Sequence, residues 1–294
     1  MDPFSAEGEL LNIHNAFLQG QYDKVVGFDI KPFSESNQIA ARVLQLRARI
    51  SLGEYEEVLA ELEGEEGTEM AAVKAFARFN TDDLEAAIDD IEDLAKVAPE
   101  NPTVQVIGGI MLQRMGKTEE ALALLSQHQG NLEAVSIIIQ IRLAQNRTDL
   151  AVKEVNAAKK WAQDSLAINI AEAWVGLRVG GDKYQQSYYV FEELAQAPST
   201  SSTKSLVGQA VSELHLGRLP EAEVALQQAL EKDKHDVAAL ANKVVLTALT
   251  GGDTAADLSA LEAVDSTHPM VTDTEEKLEL FEKAAAKYAG KAAA

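Results

Sequence analysis

One short phrase recurs along this chain at nearly constant spacing, and it restricts the fold more than any other feature. The phrase opens on a small or turn-forming residue, often has Tyr or Leu two positions on, and carries a small residue three positions later. Its first position falls at Gly20, Gly53, Asp82, Gly116, Asn146, Asp182, Gly217 and Gly251, so successive phrases start 33, 29, 34, 30, 36, 35 and 34 residues apart. A period of about 34 is that of the tetratricopeptide helical hairpin. Each position has a physical role. Gly, Asn or Asp tolerates the left-handed backbone that ends one helix before the next begins. The second position (Tyr22, Tyr55, Leu84, Thr118, Thr148, Tyr184, Leu219, Asp253) fills the gap beside the turn. The third (Val25, Val58, Ala87, Ala121, Ala151, Ser187, Ala222, Ala256) lets two antiparallel helices approach closely.

The pattern continues into each second helix at i+4 and i+7: Ile91 and Leu94, Val155 and Ala158, Phe191 and Leu194, Leu226 and Ala229. Pro99, Pro198 and Pro269 mark turns between hairpins, and Pro220 opens a helix where its missing N–H costs nothing. In the first two hairpins Lys31-Pro32-Phe33 and Glu63-Gly64-Glu65-Glu66-Gly67 shorten the second helix. The segment 272–288 reads as a final capping helix, with Asp273, Glu275 and Glu276 at its start and Lys283 and Lys287 at its end. The segment 198–203 is no longer than one inter-hairpin loop. The expectation is therefore an all-α tetratricopeptide-repeat solenoid of antiparallel helix pairs, a curved or ring-like superhelix, running through 1–294 as one domain.

The helices differ in their faces. The second helices at 54–66 and 82–93 are heavily acidic on one side, as a solvated outer face requires. From the third hairpin on, the first helices at 103–115, 132–144 and 237–249 are apolar almost all the way round. A helix of that kind is buried on every side. In a tetratricopeptide array the first helices line the concave surface, and an open apolar concavity would be a large exposed patch. Two outcomes are open: the concavity encloses a segment of a partner, or the superhelix closes tightly on itself. The residues expected on the inner, partner-binding face are Phe76, Val106, Ile110, Gln140, Leu143, Val211, Leu214 and Val245.

The composition excludes several chemistries. With 26 basic against 47 acidic residues, a net charge of -21, the chain has no excess of cations to neutralise nucleic-acid phosphates or anionic lipid headgroups. It has 0 cysteines, so disulfides, thiolate metal sites and cysteine nucleophiles are out. The start, Met1-Asp2-Pro3-Phe4-Ser5-Ala6-Glu7, lacks the basic and apolar regions of a secretory signal. No apolar run approaches the length that spans a membrane. His14, His128, His215, His235 and His268 show no metal-ligand spacing, Ser201-Ser202-Thr203-Lys204 lacks the companion motifs of a serine enzyme, and the glycine pairs precede no phosphate-binding Lys. No cofactor, metal or catalytic site is expected.

More specific is the run Ala171-Glu172-Ala173-Trp174-Val175-Gly176-Leu177, continued by Gly180-Gly181-Asp182-Lys183-Tyr184-Gln185-Gln186-Ser187-Tyr188-Tyr189-Val190-Phe191-Glu192-Glu193-Leu194. It resembles the signature segment of the coatomer epsilon subunit family. Asn15-Ala16-Phe17, Asp149-Leu150-Ala151, Gly208-Gln209-Ala210, Glu221-Ala222-Glu223, Leu226-Gln227-Gln228-Ala229-Leu230 and His268-Pro269 carry the same resemblance. It covers nearly the whole chain. The resemblance implies a non-enzymatic, cytosolic structural subunit of the COPI vesicle coat, peripheral on the Golgi membrane and on coated vesicles. It implies retrograde Golgi-to-endoplasmic-reticulum and intra-Golgi transport, with the C-terminal domain of the alpha coatomer subunit as direct partner and other coatomer subunits as neighbours. Membrane recruitment would come through the assembled coat and a small GTPase, with no nucleic acid and no direct membrane insertion. The alternative is a co-chaperone-like tetratricopeptide adaptor for peptide C-termini. Such a clamp needs Lys, Arg and Asn on the concave face, where this chain is mostly apolar.

Overall fold

The structure, a computed structural model, describes residues 8–81, 83–197 and 200–289. Among these residues there are helices and turns and no strand. The helices pair into hairpins: α1 (Leu11–Leu18) with α2 (Tyr22–Val26), α3 (Glu35–Ser51) with α4 (Tyr55–Glu61), α5 (Thr68–Arg78) with α6 (Leu84–Val97). There follow α7 (Pro102–Arg114) with α8 (Thr118–Leu125), α9 (Leu132–Ala144) with α10 (Thr148–Ala162), and α11 (Leu166–Val179) with α12 (Asp182–Gln196). The last are α13 (Thr203–His215) with α14 (Leu219–Lys232) and α15 (Val237–Leu249) with α16 (Ala255–Val264), then α17 (Pro269–Ala289). The phrase marks the turn within each pair. Asp82, Pro198, Ser199 and the segment 1–7 lie outside the described residues.

The turn after α1 shows why that phrase works. Gly20 has φ 77°, its N–H donates to the Phe17 carbonyl at 3.0 Å, and the Gln21 N–H donates to the Ala16 carbonyl at 3.0 Å. This pair of bonds satisfies carbonyls that the helix end leaves bare, and it needs a left-handed residue at the first position. The same two bonds recur at Gly53, Gly116, Gly217 and Gly251, and at Asn146, the non-glycine residue that takes this backbone with φ 58°. The helix that follows then packs its small residue at the contact. Val25, Val58, Ala87, Ala121, Ala151 and Ala222 are fully buried and Ser187 nearly so. Ala256 breaks the pattern by being exposed. α16 starts four residues after Gly251, where α2, α4, α6, α8, α10 and α14 start two after theirs and α12 starts at Asp182 itself; that shift rotates Ala256 outward and gives the buried place to Leu261.

Turns between hairpins use side-chain caps instead. Asn101 accepts from the Thr103 and Val104 N–H groups, Asn131 from Glu133 and Ala134, Asp236 from Ala239, and Ser202 and Ser205 cap each other reciprocally. The acidic second helices are shorter or shifted relative to the sequence reading: α4 ends at Glu61, and α6 runs from Leu84 to Val97.

The chain divides into two compact units, one up to Val190 and one from Phe191, with the boundary inside α12. In the first unit the first helices touch in sequence, α1 with α3, α3 with α5, α5 with α7, α7 with α9 and α9 with α11. Their apolar faces build cores around Ile107, Met111, Leu125, Ile139 and Ile168.

In the second unit, helix contact depends on Gly208. A Cβ there would lie 2.4 Å from Cδ1 of Phe191, a ring only 5% exposed. Gly208→Ala is expected to cost about 1–3 kcal/mol of stability by overpacking, read by thermal or chemical denaturation. The same unit buries Glu213, 2% exposed, with Oε2 lacking any hydrogen-bond partner and Oε1 at 3.5 Å from Gln209. Burial pushes this carboxyl above the usual range, against the lowering effect of Gln209 and Arg218. A raised carboxyl favours folding while protonated, so its penalty grows as pH rises past the unfolded value of about 4.3. Glu213→Gln is expected to stabilise the protein by about 1 kcal/mol at neutral pH and by less near pH 4, measured as denaturation midpoints across pH.

Candidate partner-binding face

The first helices carry the residues expected to meet a partner, and the two units treat them differently. In the first unit Phe76 and Val106 are buried within the chain's own cores, 8% and 2% exposed. The Arg114 guanidinium lies 5.9 Å over the Phe76 ring. Ile110 is half-buried and packs against the clusters that hold Phe76 and Val106, so these three come together. Leu143 packs against a separate cluster of α9, α10 and α11, and Gln140 is exposed. In the second unit Val211, Leu214 and Val245 are all half-buried. Val211 and Leu214 sit at the edges of two different clusters.

Phe76 and Val106 are buried by the neighbouring hairpins that form their clusters, and the inner helices of the first unit also curl back on themselves. The first of them, α1, touches the sixth, α11. Across the interior, Arg47 of α3 grips Glu133 at the start of α9 with two parallel bonds, Nη1 to Oε2 at 3.0 Å and Nη2 to Oε1 at 2.5 Å. Their side chains are 7% and 13% exposed. His14 of α1 lies 3.8 Å from the same carboxylate, and Phe17 of α1 stacks its ring 4.7 Å from the Arg47 guanidinium. Burial opposes ionisation of Glu133, but the Arg47 charge and its two hydrogen bonds, with the neighbouring His14 acting in the same direction, outweigh it and hold the carboxyl well below the usual range. A bidentate guanidinium–carboxylate pair is directional, so it fixes distance and register between α3 and α9. The tight closure considered from the sequence is therefore what the first unit displays.

Neither Arg47 nor Glu133 stood out in the sequence. They are 86 residues apart on helices of different hairpins, and no local spacing links them. The sequence reading also missed a groove of about 430 Å³ in the second unit between α14 and α15, floored by Leu226, Leu230 and Leu246. Its rim carries Glu223, Glu231 and Lys243, the last paired with Asp257 at 3.0 Å.

Stacked hairpins with left-handed turns at a regular interval define a tetratricopeptide-repeat scaffold. Two solved structures share that fold. One is a chain of the APC/C hetero-tetramer Cut9–Hcn1, with TM-score 0.64, 11% identity and 92% of this chain covered; this protein spans about half, 54%, of that chain. The other is a tetratricopeptide repeat protein from Parabacteroides merdae, with TM-score 0.59, 11% identity, and 90% and 97% of the two chains covered. At such identity the likeness concerns the fold alone.

The sequence gives the particular family. The profile described as coatomer epsilon subunit matches residues 6–289. Coatomer subunit epsilon-1 of Oryza sativa subsp. japonica is 29% identical over 279 residues, covering 94% of this chain and 96% of the relative. Coatomer subunit epsilon-1 of Arabidopsis thaliana is 28% identical, covering 98% and 100%. The probable coatomer subunit epsilon of Schizosaccharomyces pombe is 29% identical, covering 84% and 82%. The chain belongs to the coatomer epsilon subunit family.

Among the described residues, no group of His, Asp or Glu is arranged to hold a metal ion, and no helix is long and apolar enough to cross a membrane.

The buried pair yields a prediction. Glu133 has a depressed folded value, so its stabilisation is present above the unfolded value of about 4.3 and is lost as pH falls toward the folded one. Glu133→Gln leaves Arg47 buried without its carboxylate and is expected to cost about 3–5 kcal/mol at pH 7. The deficit relative to wild type is expected to shrink as pH falls from 5 to 3, in chemical denaturation at each pH.

Proposed function

We propose that this protein is a non-enzymatic structural subunit of the COPI coat that binds and stabilises the C-terminal domain of the alpha coatomer subunit. In this reading it acts in retrograde Golgi-to-endoplasmic-reticulum and intra-Golgi vesicle transport. It sits peripherally on Golgi membranes and coated vesicles through the other coatomer subunits. The observation that carries the proposal is the family match, which runs through all eight hairpins and into α17.

The physical case rests on the inner helices. They are too apolar to face bulk water, and helical scaffolds of this kind cover such faces with another chain. In the first unit Phe76 and Val106 are already covered by the chain itself. In the second unit the half-open residues Val211, Leu214 and Val245 leave surface for a partner, and in the first unit the half-open Leu143 and the exposed Gln140 do so separately. The net charge of -21 argues for basic protein partners and against direct contact with an anionic lipid surface. A clamp for peptide carboxylates fits poorly, because no residue of the proposed face is a cation.

The test is reconstitution with the alpha C-terminal domain from the same source. A 1:1 complex is expected by light scattering on a sizing column. Val245→Glu is expected to weaken it at least tenfold by calorimetry, with the helical circular dichroism signal and melting midpoint retained. Absence of a complex, or a Val245→Glu variant that binds as wild type, would remove the proposal.

A further inference from the structure

The terminal helix does not behave as a cap. Only its first turn packs: Val271 is 3% exposed and Met270 sits against the cluster of Leu240, Ala241 and Leu261. From Thr272 to Tyr288 every residue is exposed. Yet this exposed stretch is amphipathic. Continuing the register of the packed Val271, the exposed Thr274, Leu278, Phe281 and Ala285 recur at intervals of three and four, the spacing of a helix-packing seam, with Leu278 and Phe281 as its large apolar side chains. Leu278 is 57% exposed and Phe281 70%. Exposed apolar side chains in a row of this kind are stabilised when another surface covers them.

The charges along the seam say what covers it. At 100° per residue, Glu275, Glu279 and Glu282 form a continuous row along one edge, of which Glu279 pairs with Lys283 of the same helix at 3.0 Å, while the other edge carries Lys277, paired with Asp273 at 2.9 Å, and Ala284. A second copy lying antiparallel would set Glu275 and Glu282 against each other, and each copy brings a net charge of -21. We propose that α17 is a docking helix for an amphipathic helix of another polypeptide, one with an apolar face bordered by Lys or Arg that meets the Glu275–Glu279–Glu282 edge. This surface is separate from the inner face assigned to the alpha subunit and does not depend on that assignment. Its geometry is a two-helix seam in which side chains interlock and ion pairs at the edge set orientation.

The experiment uses the full chain and two fluorescent 21-residue helical peptides with an identical leucine seam, one edged with lysine and one with glutamate. In anisotropy titrations the lysine-edged peptide is expected to bind at least tenfold more tightly. Phe281→Glu should reduce that binding at least tenfold without moving the melting midpoint, because the side chain touches no core. Reversing the edge with Glu275→Lys, Glu279→Lys and Glu282→Lys together should switch the preference to the glutamate-edged peptide. Val245→Glu should leave peptide binding unchanged, which separates this surface from the inner face. The proposal is overturned if neither peptide binds, if both bind equally, or if Phe281→Glu binds as wild type. It is also overturned if light scattering finds a dimer of the wild-type chain that Phe281→Glu dissociates, since a second copy would then be the occupant.

Discussion

The architecture of this protein depends on a left-handed residue at the end of the first helix of a hairpin, as at Gly20, Gly53, Gly116, Asn146, Gly217 and Gly251. Without it the last carbonyls of that helix would be left bare, and the chain would not reverse within two or three residues. The reversal sets the second helix against the first at a fixed offset, which is why a residue without bulk is found five positions on, as at Ala87, Ala121, Ala151 and Ala222. Close approach then leaves the first helices as the buried layer and pushes the charge of α4 and α6 outward. Asn146 shows that the requirement is conformational rather than for glycine as such, since Asn is among the few residues that tolerate this backbone. Neighbouring hairpins also register on these turns. Arg114 Nη1 lies 3.5 Å from the side-chain amide oxygen of Asn80, 34 residues away, and Arg178 donates to the Asn146 side chain.

The two units then use the same hairpin for different ends. In the first, the inner helices wind until α1 meets α11, and Arg47 and Glu133 bind across the interior. Burying two charges is costly unless both are fully engaged, so this pair specifies one arrangement more than it adds net stability. Both units leave apolar side chains exposed, Val97, Trp161 and Val179 among them in the first. Leu249, Val264, Leu278, Leu280 and Phe281, all exposed, fall within the second unit's last two hairpin elements and α17.

Much of this was legible in the residues. The phrase located the turns, and the all-round apolarity of 103–115, 132–144 and 237–249 matched α7, α9 and α15 within a residue. Where the reading slipped, the cause was local. The longer turn at Gly251-Gly252-Asp253-Thr254 moved Ala256 out of register. The segment 272–288 was read from its charges as a polar cap, although Leu278 and Phe281 give it an apolar seam that its own unit does not cover. Of the inner-face residues, the helix assignments were readable, but the difference between sealed Phe76 and Val106 and half-open Val245 was not.

The sequence alone determined what nearest neighbours settle: helix ends, hairpin period, which helices are buried, and the family to which the chain belongs. Those follow from backbone preference and apolar spacing within some 35 residues of chain, and a reader of residues has access to both. Only the tertiary structure decided how far the inner helices curl, that Arg47 finds Glu133, and where apolar surface stays uncovered. These depend on small rotations added hairpin after hairpin, and no single stretch of sequence carries their sum.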